Sequence, residues 1–387
     1  MKVVIHYSEI FLKGKNRGFF ENKLIENIRK SLKREGISFY SIKKEDSRLI
    51  CSLNTKNKKE ISKIQNCLSN VFGIKYFAFA EDSNLEMKEI IKKIKKILNK
   101  MKKENLKTIS PSVKRSYKKF PLTSLELSKK IGEEAFKKNI KVDFSSENKF
   151  FLEITSKKAY FYRKKIEGPG GLPISSGGKI LVLLSGGIDS ALASWLFMKR
   201  GHRVDFLHFH VFKDNREVLK TKIRKIIEKL NKYQFKSRIF LAPYYPYELA
   251  TLNKIQQRLE LVAFKSFMLL VAQEIALKKK YKAIGTGDSL SQVASQTLDN
   301  IVATNYKIEI PVLRPLLCYD KQEIIDLSKK IGTYEESIKK YKDCCSVVSK
   351  KPSTSVKLSE IKYVFNKLKM KKLIRETLKK VEYFEIC

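Results

Sequence analysis

Metal-binding patterns are what this sequence most plainly lacks. Its six cysteines, Cys51, Cys67, Cys318, Cys344, Cys345 and Cys387, form no C-x-x-C pair and no dense framework, which argues against structural zinc and a disulfide-stapled scaffold. Of the four histidines, His208 and His210 would share one face of a strand with no cysteine nearby to complete a site, so packing in a core or cleft is expected and no metal ligand is assigned. Long apolar runs are missing too. Stretches such as Ile180 to Leu184 are far too short to cross a bilayer, and the N-terminal run is broken by His6, Ser8 and Glu9, without the core of a secretory signal. A soluble, cytoplasmic protein with no membrane partner is expected. Acidic residues are scarce, 40 against 81 lysines and arginines, and the net charge of +41 builds a field that concentrates polyanions. Lysine drift in an AT-rich genome gives the same total, so placement has to decide. Neither G-x-x-x-x-G-K-[ST] nor G-x-G-x-x-G occurs, which disfavours γ-phosphate transfer and a dinucleotide fold.

What is present is enough core for two or three domains: 387 residues, 43% of them hydrophobic. A strand at Lys2–Tyr7 precedes a helix with Phe20, Leu24, Ile28 and Leu32 at four-residue spacing, which Gly36 is placed to end. Strands near Ser38–Ile42 and Leu49–Leu53 and a helix with Ile61, Ile64 and Leu68 complete a ferredoxin-like pattern closing near Asp82. A lysine-rich helix follows with Ile90, Ile91, Ile94, Ile97, Leu98 and Met101 on its apolar side, then the stretch Pro111 to Pro121, another helix and strands at 150–155 and 159–163. The segment GPGGLPISSGG reads as a solvated linker. After it, apolar strands at 180–184, 204–209, 237–241 and 283–284 alternate with helical stretches, the pattern of a doubly wound parallel α/β sheet. The resulting scheme is 1–60, 61–165, a linker at 166–178, and 179–387.

The loop Ser185-Gly186-Gly187-Ile188-Asp189-Ser190 falls between an apolar strand and a helix, where open α/β sheets collect ligands. Gly186 and Gly187 permit positive φ, so successive amides can form an anion nest beside the helix N-terminus, and the two serines add hydroxyl donors. Asp189 repels phosphate unless a divalent cation stands between them, which points to magnesium-bound pyrophosphate and hence a nucleoside triphosphate. An ordinary glycine turn is the alternative.

This SGGIDS loop resembles that of the PP-loop ATP pyrophosphatases, which split ATP between the α and β phosphates and leave AMP on a substrate oxygen. Further segments resemble the tRNA 4-thiouridine synthetase (tRNA uracil 4-sulfurtransferase) family over nearly the whole chain: HYSEIFLKGKNR (6–17), IEGPGG (166–171), GTGDSLSQVASQTLDN (285–300), PVLRPL (311–316) and YDKQEI (319–324). The resemblance implies ferredoxin-like, RNA-binding THUMP and PP-loop domains, and ATP-dependent replacement of O4 of uridine 8 by persulfide sulfur. By the same resemblance the nucleotide site uses Leu183 and Leu184, the loop residues, His208 and Phe209 near adenine, Lys265, Gly287 and Gln296, while Lys321 stabilises charge as pyrophosphate leaves. Strand-edge backbone at Leu183 and Leu184 is expected to read adenine, Lys265 to steady phosphate charge, and Gly287 to let the chain approach the nucleotide closely.

Sulfur delivery needs a cysteine, and Cys344 and Cys345 lie in KDCCSVVSKKPS beside Lys342, Lys350 and Lys351, cations that favour the attacking thiolate. The following V-V-S-K-x-P pattern aligns the family's cysteine with Cys345, and an ungapped count points to Cys344. Longer members append a rhodanese domain, whereas this chain ends at Cys387. A cysteine desulfurase is therefore the expected donor, with the other cysteine of the pair, or Cys387, resolving the intermediate. Sulfur supply for thiamine's thiazole is not carried over, and a homodimer is an expectation the sequence does not decide. No cysteine stands near Lys265, where some relatives hold an iron–sulfur cluster, so none is expected. Ala191, Asp288 and Lys265-Ser266 replace the family's usual proline, glutamate and arginines. Lys114, Arg115, Lys118 and Lys119, interleaved with Tyr117 and Phe120, and Arg163 and Lys164 are expected to hold tRNA through its backbone. A solvated basic face is the plain alternative. For the whole chain, another PP-loop chemistry on a different RNA base or a small molecule, and a non-catalytic RNA-binding protein, stay open at this point.

Overall fold

A computed structural model describes residues 1–54, 57–344, 348 and 352–387, which divide into two compact units, Met1–Pro173 and Ile174–Cys387.

The first unit is built as β1 (Lys2–Tyr7), α1 (Arg17–Arg34), β2 (Phe39–Glu45), β3 (Arg48–Leu53), α2 (Lys58–Leu68), β4 (Ile74–Ser83), α3 (Met87–Lys103), β5 (Thr108–Arg115), α4 (Ser124–Phe136), β6 (Lys141–Val142), β7 (Lys149–Ile154), β8 (Ala159–Tyr162) and β9 (Ile166–Glu167). Its strands form one sheet in the order β2-β3-β1-β4-β8-β7-β5-β6, with β9 also paired to β4. Helix α1 turns Leu24, Ile28 and Leu32 onto this sheet, and Ile64, Cys67 and Leu68 of α2 join the same core. Helix α3 buries Ile90, Ile94, Ile97, Leu98 and Met101 along one stripe, each burial stabilising by about 1.5–3 kcal/mol, and leaves its lysines on the other side. Strand β4 joins the two halves: its first part pairs with β1, and Glu81–Ser83 pair with β8.

A buried carboxylate pins the sheet. Glu153 of β7, 1% exposed, receives His6 Nε2 of β1 at 3.0 Å, Arg48 of β3 at 2.8 Å and the Tyr162 hydroxyl of β8 at 2.5 Å. Burial alone would raise its pKa, but the hydrogen bond and charge of His6, the Arg48 charge and the Tyr162 bond outweigh it and hold the carboxyl at about 2.

The segment expected to be a solvated linker is packed over its first half. Gly168 and Gly170 donate to the carbonyls of Lys75 and Ile74 at 2.9 Å, Gly73 donates to Gly170 at 2.7 Å, and Leu172 is buried. A side chain at Gly168 would stand 2.3 Å from the Ile74 carbonyl oxygen, so glycine serves close approach there and not freedom. Within 166–178 the exposed residues are Glu167, Ser175, Gly177 and Gly178.

The second unit runs β10 (Lys179–Leu183), α5 (Ile188–Lys199), β11 (Arg203–His210), α6 (Asn215–Val218), α7 (Lys222–Gln234), β12 (Ser237–Pro243), α8 (Tyr245–Thr251), α9 (Gln257–Lys279), β13 (Ala283–Gly285), α10 (Leu298–Thr304), β14 (Val312–Leu313), α11 (Lys321–Lys330), α12 (Tyr334–Ser337), α13 (Leu358–Lys367), α14 (Met370–Leu378) and β15 (Glu382–Ile386). Strand order is β14-β13-β10-β11-β12-β15; the first five are parallel and β15 closes one edge antiparallel to β12. Alternate strand residues Leu181, Leu207 and Phe209 pack with Phe264 and Phe267 of α9. Winding proceeds from β10 to β11 and β12 on one side and to β13 and β14 on the other. The carboxyl end of β10 is thus the topological switch point at which such sheets bind ligands.

Candidate active site

The loop after β10 is held by its own serines. Ser185 N and Ser185 Oγ both lie 3.2 Å from Ser190 Oγ, and Gly187 N donates to Ser185 Oγ at 3.2 Å. Gly186 adopts φ +87°, as the turn demands, but Gly187 has φ −81° and extended backbone as the residue capping α5, so only the first glycine uses positive φ.

A cavity of about 400 Å³ opens beside this loop, with Leu183, Leu261, Met268, Leu269 and Ile301 as its apolar wall and Ser185, Asp189, Ser190, Lys265, Gly287, Asp288 and Gln296 among its polar residues. Its charged groups are paired with one another. Lys321, the first residue of α11 after the Asp320 cap, places Nζ 2.9 and 3.2 Å from the two Asp189 oxygens, and Gln292 Nε2 donates to the same carboxylate at 3.3 Å. Deeper in, Asp288 accepts from Lys265 at 3.2 Å, Arg314 at 3.1 Å, Thr286 at 2.7 Å and Gln296 at 3.3 Å. Burial pushes the Asp288 carboxyl up, yet Lys265, Thr286 and Arg314 together hold it at about 2. Arg314 and Gln292 were not singled out from the sequence, although both lie in segments that carried the family resemblance. Their type, one cation and one amide inside otherwise apolar or small-residue runs, was the available signal.

Gly287 is pressed against the loop: a methyl there would stand 2.6 Å from Ser190 N and 2.7 Å from the Asp189 carbonyl carbon. The glycine therefore permits loop-to-loop contact, as well as lining the cavity.

Family comparison decides what this arrangement belongs to. The sequence model described as Thiamine biosynthesis protein (ThiI) matches residues 175–370, and the ThiI ferredoxin-like domain matches residues 2–78. Probable tRNA sulfurtransferases of Caldanaerobacter subterraneus subsp. tengcongensis and Coxiella burnetii are 36% identical over 375 residues and 35% identical over 393, with 96% of each chain aligned in the first case and 99% and 98% in the second. The chain belongs to the tRNA sulfurtransferase family. A crystal structure of a 4-thiouridine synthetase–RNA complex with bound ATP superimposes with a TM-score of 0.85 at 28% identity, covering 100% of this chain and 99% of that one.

Three positions expected at the sulfurtransferase's nucleotide make hydrogen bonds or packing contacts of their own beside or behind the cavity. Leu184 donates its amide to Leu207 O at 2.9 Å, and its carbonyl oxygen lies 2.6 Å from His208 Nδ1. His208 itself, 1% exposed, lies outside the cavity lining. Phe209 packs edge-on against Phe264 and Phe267 in the core and also lies outside it.

Cys344 is 1% exposed and belongs to the hydrophobic core of the second unit; Cys345, Lys350 and Lys351 lie outside the described residues. Cys387 follows β15, whose Ile386 pairs with Ser237 at the amino end of β12. That is the opposite end of the sheet from the loop, so Cys387 is not placed to resolve an intermediate there within one chain. Cys318 is exposed, three residues before Lys321.

In the first unit Lys114, Lys118, Lys119 and Lys164 are exposed, as RNA contact requires. The two arginines are occupied. Arg115 donates to the carbonyls of Phe120 and Leu122 at 2.8 and 3.0 Å and so shapes the loop that carries Lys118 and Lys119, and Arg163 pairs with Glu104 at 2.7 Å. Lys165, not singled out beforehand, lies over the Phe151 and Tyr76 rings at 4.2 and 4.9 Å, and Lys114 approaches the same tyrosine at 6.0 Å.

Proposed function

We propose that this chain is an ATP-dependent tRNA sulfurtransferase that converts uridine 8 to 4-thiouridine. The observation that carries the proposal is the paired Asp189–Lys321 at the mouth of a cavity of nucleotide size, formed by the loop that matches the family. ATP occupies the cavity with its base against the apolar wall and its phosphates at Ser185, Ser190 and the α5 N-terminus. The uridine O4 attacks the α-phosphorus and pyrophosphate leaves, its charge met by Lys321 and Lys265. Asp189 fits a magnesium ligand: its carboxylate faces the cavity, and Lys321 already marks it as a site for a cation. Asp189 would hold the ion, which would supply charge neutralisation for the departing pyrophosphate.

The terminal sulfur of a cysteine persulfide then attacks C4 and AMP departs. A second thiol cleaves the remaining S–S bond, releasing thiouridine and leaving a disulfide for an external thiol to reduce. Burial of Cys344 in the core supports Cys345 as the persulfide carrier, loaded by a cysteine desulfurase. Exposed lysines of the first unit hold the tRNA backbone. Incubation with ATP, magnesium, cysteine, a desulfurase and unmodified tRNA tests the reading: near-ultraviolet absorbance of thiouridine is expected, and pyrophosphate release indifferent to tRNA would overturn it.

A further inference from the structure

Two ties join the segment ahead of Cys344 to the loop after β10. The first passes through His208. Its Nδ1 is 2.6 Å from the Leu184 carbonyl oxygen, which can only accept, so Nδ1 carries the proton and Nε2 presents a lone pair. The Tyr341 hydroxyl, 2.8 Å from Nε2, must therefore donate. Burial lowers the His208 pKa to about 4, and burial, with the charges of Cys344 and Asp343 adding, raises that of Tyr341, so the ring stays neutral and the hydroxyl protonated at neutral pH. The second tie is Lys222, at the start of α7. Its Nζ donates to the carbonyls of Ser337 and Lys339 at 2.7 and 2.8 Å and lies 5.7 Å from the centre of the Tyr341 ring. Its stem passes Gly186, close enough that a methyl on that glycine would stand 3.3 Å from Cε. The stretch from Ser337 to Tyr341 is thus fixed to Leu184 and Gly186, and the cysteine pair begins three residues further on.

We infer that Tyr341 and Lys222 are positioning residues for sulfur transfer: they register the cysteine-bearing segment against the adenylating loop and take no part in adenylation. The inference rests on the sulfurtransferase reading above. Neither tie touches Asp189, Lys321 or Lys265, and the two end on Leu184 and Gly186 without bonding the Ser185 and Ser190 hydroxyls that face phosphate. Sulfur attack needs a second, separately held wall brought into line with the activated carbon, and a displacement of about 1 Å is enough to cost roughly a hundredfold in rate. A cysteine out of register leaves the adenylated uridine to water, which attacks, releases AMP and restores uridine. Loss of the ties is thereby distinguished from a damaged site: AMP is formed without thiouridine.

The full chain, with ATP, magnesium, cysteine, a desulfurase and unmodified tRNA, gives both quantities in one reaction. Tyr341→Phe keeps the ring and removes the donated proton. Thiouridine formation is expected to fall roughly ten- to a hundredfold while tRNA-dependent pyrophosphate release stays within about twofold, so AMP per thiouridine rises at least about fivefold. Lys222→Met, which keeps the stem, should uncouple in the same direction, and Lys222→Arg should restore coupling. Parallel loss of both activities, or no change in either, overturns the positioning role. A wild-type chain that releases pyrophosphate but never forms thiouridine overturns the sulfurtransferase reading, and the inference with it.

Discussion

Glu153 in the first unit and Asp288 in the second are nearly the same electrostatic object. Each is a carboxylate surrounded by two cationic or potentially cationic groups and a hydroxyl, and each is held at about 2 against its own burial. Only one faces a cavity. Glu153 has His6, Arg48 and Tyr162 around it in the middle of a sheet, whereas Asp288 and its partners Lys265 and Gln296 line the space beside the loop. A strongly shifted acidity is thus shared by a structural pin and a candidate binding group, and what separates them is room for a ligand.

Substitutions can break that comparison. The largest effect is expected at a third carboxylate, Asp189, which is only partly buried but sits where charge moves: Asp189→Ala should lower tRNA-dependent pyrophosphate release by at least about a thousandfold, with tRNA affinity unchanged in a filter-binding titration. Next, Glu153→Ala leaves Arg48 buried and unpaired and should cost about 3–5 kcal/mol in denaturant unfolding of the first unit, while pyrophosphate release per folded molecule is retained. Because the folded carboxyl sits at about 2, below its ordinary 4.5, its contribution is complete above pH 4.5 and is lost as pH falls towards 2. An acid unfolding transition should therefore begin higher in the wild type than in Glu153→Gln once each is measured relative to its own stability at pH 7. Asp288→Asn, by contrast, should raise KM for ATP about tenfold with a smaller change in unfolding free energy, since Lys265 loses a charged partner but lines the cavity, and the asparagine keeps an oxygen to accept from Arg314. The smallest effect is reserved for surface charge. Replacing Lys118 and Lys119 together by alanine should reduce the salt slope of tRNA binding by about 1.5 and leave turnover at saturating tRNA unchanged.

How far the sequence anticipates all this differs between the regions. Period-four spacing in α1 and α3, apolar strands in the second unit and the serine–glycine loop are local patterns, and each maps to its observed element within a few residues. Asp189 and Lys321, 132 residues apart, meet because the family's segments were legible at both ends, not because either position announces the other. Glu153 was invisible: nothing in KFFLEI distinguishes a surface glutamate from one enclosed by β1, β3 and β8, since its partners are set by sheet order. The occupied states of Leu184, His208 and Arg115 were equally hidden, because whether a polar group is spare depends on neighbours distant in sequence. Gly168 belongs to a run that reads as solvated linker and is instead a point of closest packing, whereas Gly287, expected to permit close approach, is pressed against the neighbouring loop.

The contact at Gly287 also joins two loops at the cavity. With no side chain between them, the backbone at 287 and that of Asp189–Ser190 touch directly, so the β13 loop and the β10 loop form one continuous wall. A side chain at 287 would part these two stretches of backbone, and with them the Asp189 carboxylate from the Asp288 cluster that shares the same cavity.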